Sequence, residues 1–245
     1  MKAVILCAGV GSRLGALTAN RPKALLPIGS QTVLDRMLLS LQQHGIDSFV
    51  IVVGHQREQI EAHVKIHWAN CPYPQLPVQF IVNPRFAETN TSYSLLLARE
   101  AIGSDSFVKL DGDLVFEDDV LAKLFADQTT NRVVVDSSVI LGDEEVKVVA
   151  QEGAIQRIGK KLTLSQCRGE SIGIELIHRD SVGDLFSELA RVVCQDQLVQ
   201  EYYELAYDRM MQRGVPFRLV DITGLKWNEI DDLTDLQRAR EMFLR

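Results

Sequence analysis

Two periods of hydrophobicity alternate along the chain. KAVILCA (2–8), SFVIVVG (48–54), VQFIVN (78–83) and SFVKLDGDL (106–114) are mostly continuous apolar runs. Such runs predict strands buried on both faces. The stretches between them repeat near 3.6 residues. TVLDRMLLSLQQHG puts Leu34, Leu38 and Leu41 on one stripe and stops at Gly45, which predicts a helix with a glycine C-cap. QREQIEAHVKIHWA predicts a second helix, and SYSLLLAREAI a third, opened by the capping residues Thr89–Asn90–Thr91–Ser92. Strands alternating with helices predict a parallel sheet covered on both faces.

From about Arg132 the pattern shortens. VVVDSS, EVKVVAQEG, AIQRIGK and ESIGIELI predict short strands with tight turns, a partly antiparallel extension over about 132–178. Helices follow at LFSELARVV and LVQEYYELAYDRMMQRG, then a strand at FRLVDI and a terminal helix at LTDLQRAREMFLR. There is no internal repeat, and CPYPQLP (71–77) is too short to link domains. Residues 1–245 therefore read as a single α/β domain: three-layer and Rossmann-like, with a mixed, mostly parallel sheet and a small antiparallel extension.

Composition narrows the function classes. The chain has 245 residues, 46% hydrophobic and 24% charged, ordinary values for a globular protein. A formal net charge of −7 argues against a broad nucleic-acid footprint. The apolar stretch Ala3–Ala8 falls far short of the roughly 20 residues a membrane span needs, and Arg13 follows it without a signal-peptide layout. Cys7, Cys71, Cys167 and Cys194 are scattered with no CxxC pair, which predicts reduced thiols used as small core residues and a cytoplasmic protein. His63 and His67 stand at i, i+4 without the HExxH glutamate and read as an exposed helix face.

The first strand runs into a glycine turn, where open backbone amides can cradle phosphate. Gly9, Gly11 and Gly15 give G-x-G-x-x-x-G, with Leu14 where a dinucleotide fingerprint needs its third glycine. The second strand ends in Gly54–His55 rather than in an acid, and no GK[ST] marks a P-loop. What remains is A-G-x-G-S-R-L, followed ten residues after Arg13 by Lys23 in PKALLPI. LDGDL (110–114) and WNEID (227–231) supply two aspartate pairs or near-pairs at alternate spacing. Together with NPRFAETNTSYSLLLA, GESIGIELI and EYYELA, in this order, the chain resembles the nucleotidyltransferase superfamily that makes nucleoside-diphosphate sugars and alcohols. It is most similar to the branch of phosphocholine, inositol-phosphate and aminoethylphosphonate cytidylyltransferases.

The resemblance implies attack of a phosphate or phosphonate oxygen on the α-phosphorus of a nucleoside triphosphate, with pyrophosphate leaving. Positive charge and amide donors must then surround the reacting phosphorus. Arg13 and Lys23 take that catalytic role, Arg13 on the departing phosphates and Lys23 on the α-phosphate, with Arg21 as an auxiliary. The nucleotide falls to Leu6, Ala8, Gly9, Gly11 and Ser12, to Thr89, Asn90 and Ser92, and to Asp111. Asp113 and Asp231 are the implied Mg²⁺ ligands, hard oxygens as that ion demands. Lys147, Glu170, Tyr203, Trp227 and Glu229 are the implied acceptor contacts, with Tyr202 and Tyr203 as neighbours on one helix. The branch points to CTP, although residue chemistry does not separate it from UTP or dTTP. The expected partners are that triphosphate and a small phosphorylated alcohol, amino alcohol or phosphonate, with no nucleic acid or membrane; a homodimer is left open. Two other readings stand: a sugar-1-phosphate nucleotidyltransferase, and a non-catalytic nucleotide-sensing subunit. Retention of Arg13, Lys23, Asp113 and Asp231 together speaks against the second.

Overall fold

The structure, a computed structural model, describes residues 1–69 and 77–244. Cys71 and nearly all of the CPYPQLP stretch lie outside the described residues. The chain opens with β1 (Lys2–Cys7), single 3-10 turns at Ser12–Leu14 and Lys23–Leu25 around α1 (Ala16–Ala19), and a ribbon of β2 (Pro27–Ile28) with β3 (Gln31–Thr32). Next come α2 (Val33–Gln43), β4 (Ser48–Val53), α3 (Arg57–Ala69), β5 (Val78–Val82), α4 (Thr91–Leu97), α5 (Arg99–Ile102), β6 (Phe107–Asp111), β7 (Leu114–Phe116) and α6 (Asp119–Phe125). The rest is β8 (Asn131–Asp136), β9 (Lys147–Gln151), β10 (Ala154–Gly159), β11 (Gly169–Ile177), α7 (Arg179–Ala190), α8 (Glu204–Gln212), β12 (Phe217–Asp221), β13 (Trp227–Glu229) and α9 (Leu233–Phe243).

Nine strands form one mixed sheet in the order β5-β4-β1-β6-β11-β8-β12-β10-β9. The run β5-β4-β1-β6 is parallel, as the apolar strands predicted. The antiparallel part reaches further into the sheet than a short extension would. β11 is inserted antiparallel between β6 and β8, while β8 pairs parallel with β12. Both faces are covered. Ala3, Ile5 and Cys7 of β1 point into a core with α2, α3, α6 and α9, and Val4 and Leu6 into a second core with α4, α5, α7 and α8. That double burial is why the strand is apolar throughout. Helix α2 starts where its capping box sits: the Thr32 hydroxyl accepts from the Asp35 amide at 3.1 Å, and the Asp35 carboxylate accepts from the Thr32 amide at 3.0 Å.

Three expected elements are broken, two of them for a tertiary reason visible in the structure. SFVKLDGDL is not one strand. At Gly112 the chain passes so close to β1 that an added Cβ would lie 2.6 Å from the Leu6 carbonyl oxygen, and the Gly112 amide donates to that oxygen at 3.0 Å. Beyond it, β7 leaves the main sheet and pairs antiparallel with β13, Leu114 opposite Glu229 and Phe116 opposite Trp227. The third predicted helix is interrupted at Ala98. The helix expected over 198–214 begins only at Glu204, because the residues before it are bonded to the segment ahead of α4. The Asn90 amide donates to Val199 O at 2.9 Å, the Ser92 amide to Glu201 O at 3.3 Å, and Gln200 Nε2 to Glu88 O at 2.6 Å. Among the described residues no helix is long and apolar enough to cross a membrane.

Candidate active site

A cavity of about 1230 Å³ opens at the carboxyl ends of β1 and β6, where open α/β sheets bind ligands. The β7–β13 pairing decides its floor. It sets Glu229 opposite Leu114, and the Ile230 amide donates to Asp113 O at 3.0 Å. Residues more than a hundred positions apart in sequence are thereby fixed side by side. One carboxylate oxygen each from Asp113, Glu229 and Asp231 lies within 4.8 Å of the others.

Lys23 enters from the turn after the glycine loop. Its Nζ stands 2.9 Å from Asp113 Oδ2 and 2.7 Å from Asp231 Oδ1, and Arg13 reaches Asp231 Oδ2 at 2.7 Å. Burial disfavours the Lys23 charge, but the two aspartates outweigh it and hold the ammonium above its usual value. Loss of hydration, then the charges of Asp113, Asp231 and Asp111, push the Glu229 carboxyl up to about 9, with Lys23 opposing. Glu229 keeps solvent access, so crowding by its three acidic neighbours is the cause that matters here. Asp113 Oδ1 is buried without a hydrogen-bond partner. Three converging carboxylates, one with an orphaned oxygen, suit a hard divalent cation.

Leu6, Gly9, Gly11 and Ser12 line the cavity beside Arg13 and Lys23, with Gly11 at φ 67° in the left-handed region. Thr89 and Asn90 line it too, but both side chains already have structural work. The Asn90 oxygen caps α4 by accepting from the Thr91 amide at 2.8 Å, and the Thr89 hydroxyl donates to Arg85 O at 2.8 Å. Glu170, Tyr203 and Trp227 form part of the wall, Trp227 donating from Nε1 to Asp136 Oδ2 at 2.8 Å.

Several expected residues are elsewhere. Lys147 is buried, its ammonium spent on the carbonyls of Lys160 (2.7 Å) and Glu145 (3.2 Å), so it holds the 143–160 turn together and does not line the cavity. Ala8 packs into the core and Ser92 is buried in the first turn of α4, both away from the cavity lining. Arg21 lies outside the cavity. Tyr202 and Tyr203 precede α8 rather than sharing it, and they diverge: Tyr203 is buried and Tyr202 exposed. Of the cysteines, Cys7 is a core residue, whereas Cys167 is half-buried and Cys194 exposed. His63 is bonded to Asp35 at 2.8 Å rather than lying on an open helix face.

A buried charge cluster under the site was not anticipated. Lys109 Nζ stands 2.8 Å from Glu175 Oε2 and 3.2 Å from Asp111 Oδ2, and Tyr203 donates its hydroxyl to Asp111 Oδ2 at 2.8 Å. Burial, then the charges of Asp111 and Glu175, push Glu204 up to about 8 against the pull of Lys109. The signal was present: Lys109 interrupts the apolar run of β6 and Glu175 that of β11, and the two are register partners across these strands.

The chain is similar to several known proteins. A protein of Streptomyces rubellomurinus called CMP-5'-(3-aminopropyl)phosphonate synthase is 30% identical over 253 residues, covering 98% of this chain but 38% of its own length. The choline-phosphate cytidylyltransferase of Streptococcus pneumoniae is 32% identical over 114 residues, 46% of each chain. The chain thus spans less than half the length of the first of these, and the second matches it over less than half. Among solved structures, the inositol-1-phosphate CTP transferase of T. maritima superposes with a TM-score of 0.81 at 20% identity, over 99% of this chain and 94% of that one, and shares the fold. The model of the MobA-like NTP transferase domain matches residues 3–164, two thirds of the sequence, and the chain belongs to that family.

Proposed function

We propose that the chain is a Mg²⁺-dependent cytidylyltransferase that joins CTP to a small phosphorylated alcohol, amino alcohol or phosphonate and releases pyrophosphate. The observation that carries this reading is the meeting of Asp113, Glu229 and Asp231 under Lys23 and Arg13, at the mouth of a glycine turn. CTP is favoured because the relatives just described are named for cytidylyl transfer. The cavity exceeds what one drug-sized ligand fills, which supports room for two substrates.

The acceptor arrives with an ionised oxygen, so no protein nucleophile is required. Asp113 and Asp231 would hold the magnesium ion with Glu229 beside them, and the ion would supply charge neutralisation at the triphosphate. Lys23, beside those carboxylates, would present its ammonium to the α-phosphoryl oxygens. Arg13 offers its planar fork to the leaving phosphates. Gly9 and Gly11, having no Cβ, would let backbone amides of this turn approach the phosphates. The residues together stabilise charge developing in line across phosphorus.

Pyrophosphate release tests this directly. CTP with phosphocholine, aminoethylphosphonate or inositol phosphate and Mg²⁺ is expected to give turnover that chelation abolishes. UTP, dTTP or a hexose 1-phosphate giving the higher kcat/KM would move the activity to sugar nucleotides. Release from none of these pairs would refute the reading.

A further inference from the structure

A second cavity, of about 260 Å³, is lined by Leu17, Asn20, Arg21, Leu26, Pro27 and Arg240. It shares no lining residue with the candidate active site. Three segments wall it, and each is tied to that site. Helix α1 is fastened to the glycine turn, the Thr18 hydroxyl donating to Gly11 O at 2.8 Å. The stretch 21–27 contains Lys23. Helix α9 is fastened to the metal-ligand segment, its Asp235 Oδ2 accepting from the Asp231 amide at 3.1 Å.

Two arginines line this cavity and no acid does. Arg21 is exposed and, among the described residues, has neither a hydrogen bond nor an ion pair. Pro22 follows it at φ −59°, and a proline restricts the backbone of the residue before it, so Arg21 is presented on a stiff stretch of chain. Arg240 is half-buried and donates from Nε to Pro27 O at 3.2 Å, which orients its guanidinium. Its two terminal nitrogens have no acceptor among the described residues. In a chain of net charge −7, two guanidinium groups sharing one cavity without a carboxylate are a local excess of positive charge. The remaining wall is largely apolar: Leu26 is buried beneath, and Leu17 is 41% exposed beside the arginines.

Guanidinium forks match the oxygens of phosphate and carboxylate. A phosphate dianion neutralises both arginines, whereas a carboxylate leaves one of them unbalanced. The volume lies below the range that drug-sized ligands fill, which excludes a nucleoside triphosphate. We propose that this cavity is a second anion site that takes the dianion of a small phosphate monoester. Its phosphoryl group lies between Arg21 and Arg240, and its short carbon chain rests on Leu17, Leu26 and Pro27. This site stands whether or not the chain transfers cytidylyl groups.

Calorimetric titration of the full chain, in chelator and without nucleotide, tests it with n-propyl phosphate, inorganic phosphate and butyrate at about pH 8, where the phosphates are dianions. Propyl phosphate is expected to saturate a site that persists when Arg13→Met and Lys23→Met together disable the triphosphate cavity. Its affinity should fall at least about tenfold in Arg21→Gln and in Arg240→Gln. Arg21 has no protein partner to lose, so Arg21→Gln is expected to keep the Tm of the unaltered protein and to report on binding alone. Inorganic phosphate, without the carbon chain, should bind the same pair about tenfold more weakly. Butyrate, with one charge fewer, should also be at least about tenfold weaker. Propyl phosphate binding that the Arg13→Met, Lys23→Met protein loses and Arg21→Gln keeps would assign the anion to the catalytic cavity and overturn the proposal. So would butyrate or inorganic phosphate binding as tightly as the ester, or no saturable binding at all. Turnover of CTP enters none of these readouts, so the result is separate from the fate of the cytidylyltransferase reading.

Discussion

Lys23 stands between Asp113 and Asp231 where a divalent ion would neutralise the same two carboxylates. Removing one partner of such a group leaves like charges facing each other at partial burial, which costs on the order of a few kcal/mol. Lys23→Met is therefore expected to lower Tm by several degrees in chelator, with Mg²⁺ restoring much of the loss, as thermal unfolding with and without the ion would read. Glu204 makes a second prediction. Its folded carboxyl sits near 8 while the unfolded one stays near 4.5, so the native state holds the proton more tightly. Stability from this group is complete below about 4.5 and is lost as pH rises to about 8. Glu204→Gln escapes that loss. Its Tm should gain on the unaltered protein by roughly 10 °C between pH 5 and 8.5; a gap that does not change with pH would contradict the assignment.

Among the elements, β11 carries the tightest constraint on the site. Gly173 has φ +80°, and a Cβ there would collide with the Asp111 carboxylate. Gly173→Ala should cost about 2–4 kcal/mol in denaturant unfolding and displace Asp111, lowering activity with it. Gly183, exposed in the middle of α7 with nothing within 4 Å of an added Cβ, is the control. Gly183→Ala should stabilise by about 0.5–1 kcal/mol. Most elements were legible because their signal is local: β1 and β4 are apolar on both faces, and α2 advertises its cap and its stripe. The breaks were not legible. Nothing within SFVKLDGDL announces that Gly112 must skirt β1, nor that β7 will find its partner over a hundred residues later. Likewise the residues up to Tyr203 continue a helical pattern but are drawn off by hydrogen bonds to the segment before α4.

For the whole molecule, the motif residues read from the sequence do gather around one cavity. Arg13 and Lys23 come from the chain's first turns, Asp113 from its middle and Glu229 and Asp231 from near its end. Their residue types and spacing made that legible. Lys147 shows the limit of such reading, since an ammonium satisfied by backbone carbonyls cannot be told from a ligand-binding one by sequence. Lys109 and Glu175 show the converse, a pair that register, not motif, brings together. On the proposed cytidylyltransferase function, CTP with Mg²⁺ at about a hundred times its Kd should stabilise the folded chain by about 2.7 kcal/mol, and Asp231→Asn should lose most of that gain. The central claim, that Asp113 and Asp231 share one divalent ion, is tested most directly by titrating Mn²⁺ in the presence of CTP and counting bound ions by paramagnetic resonance. One protein-dependent ion is expected, weakened at least about tenfold in Asp113→Asn and in Asp231→Asn alike. Unchanged Mn²⁺ affinity in either variant would contradict the account.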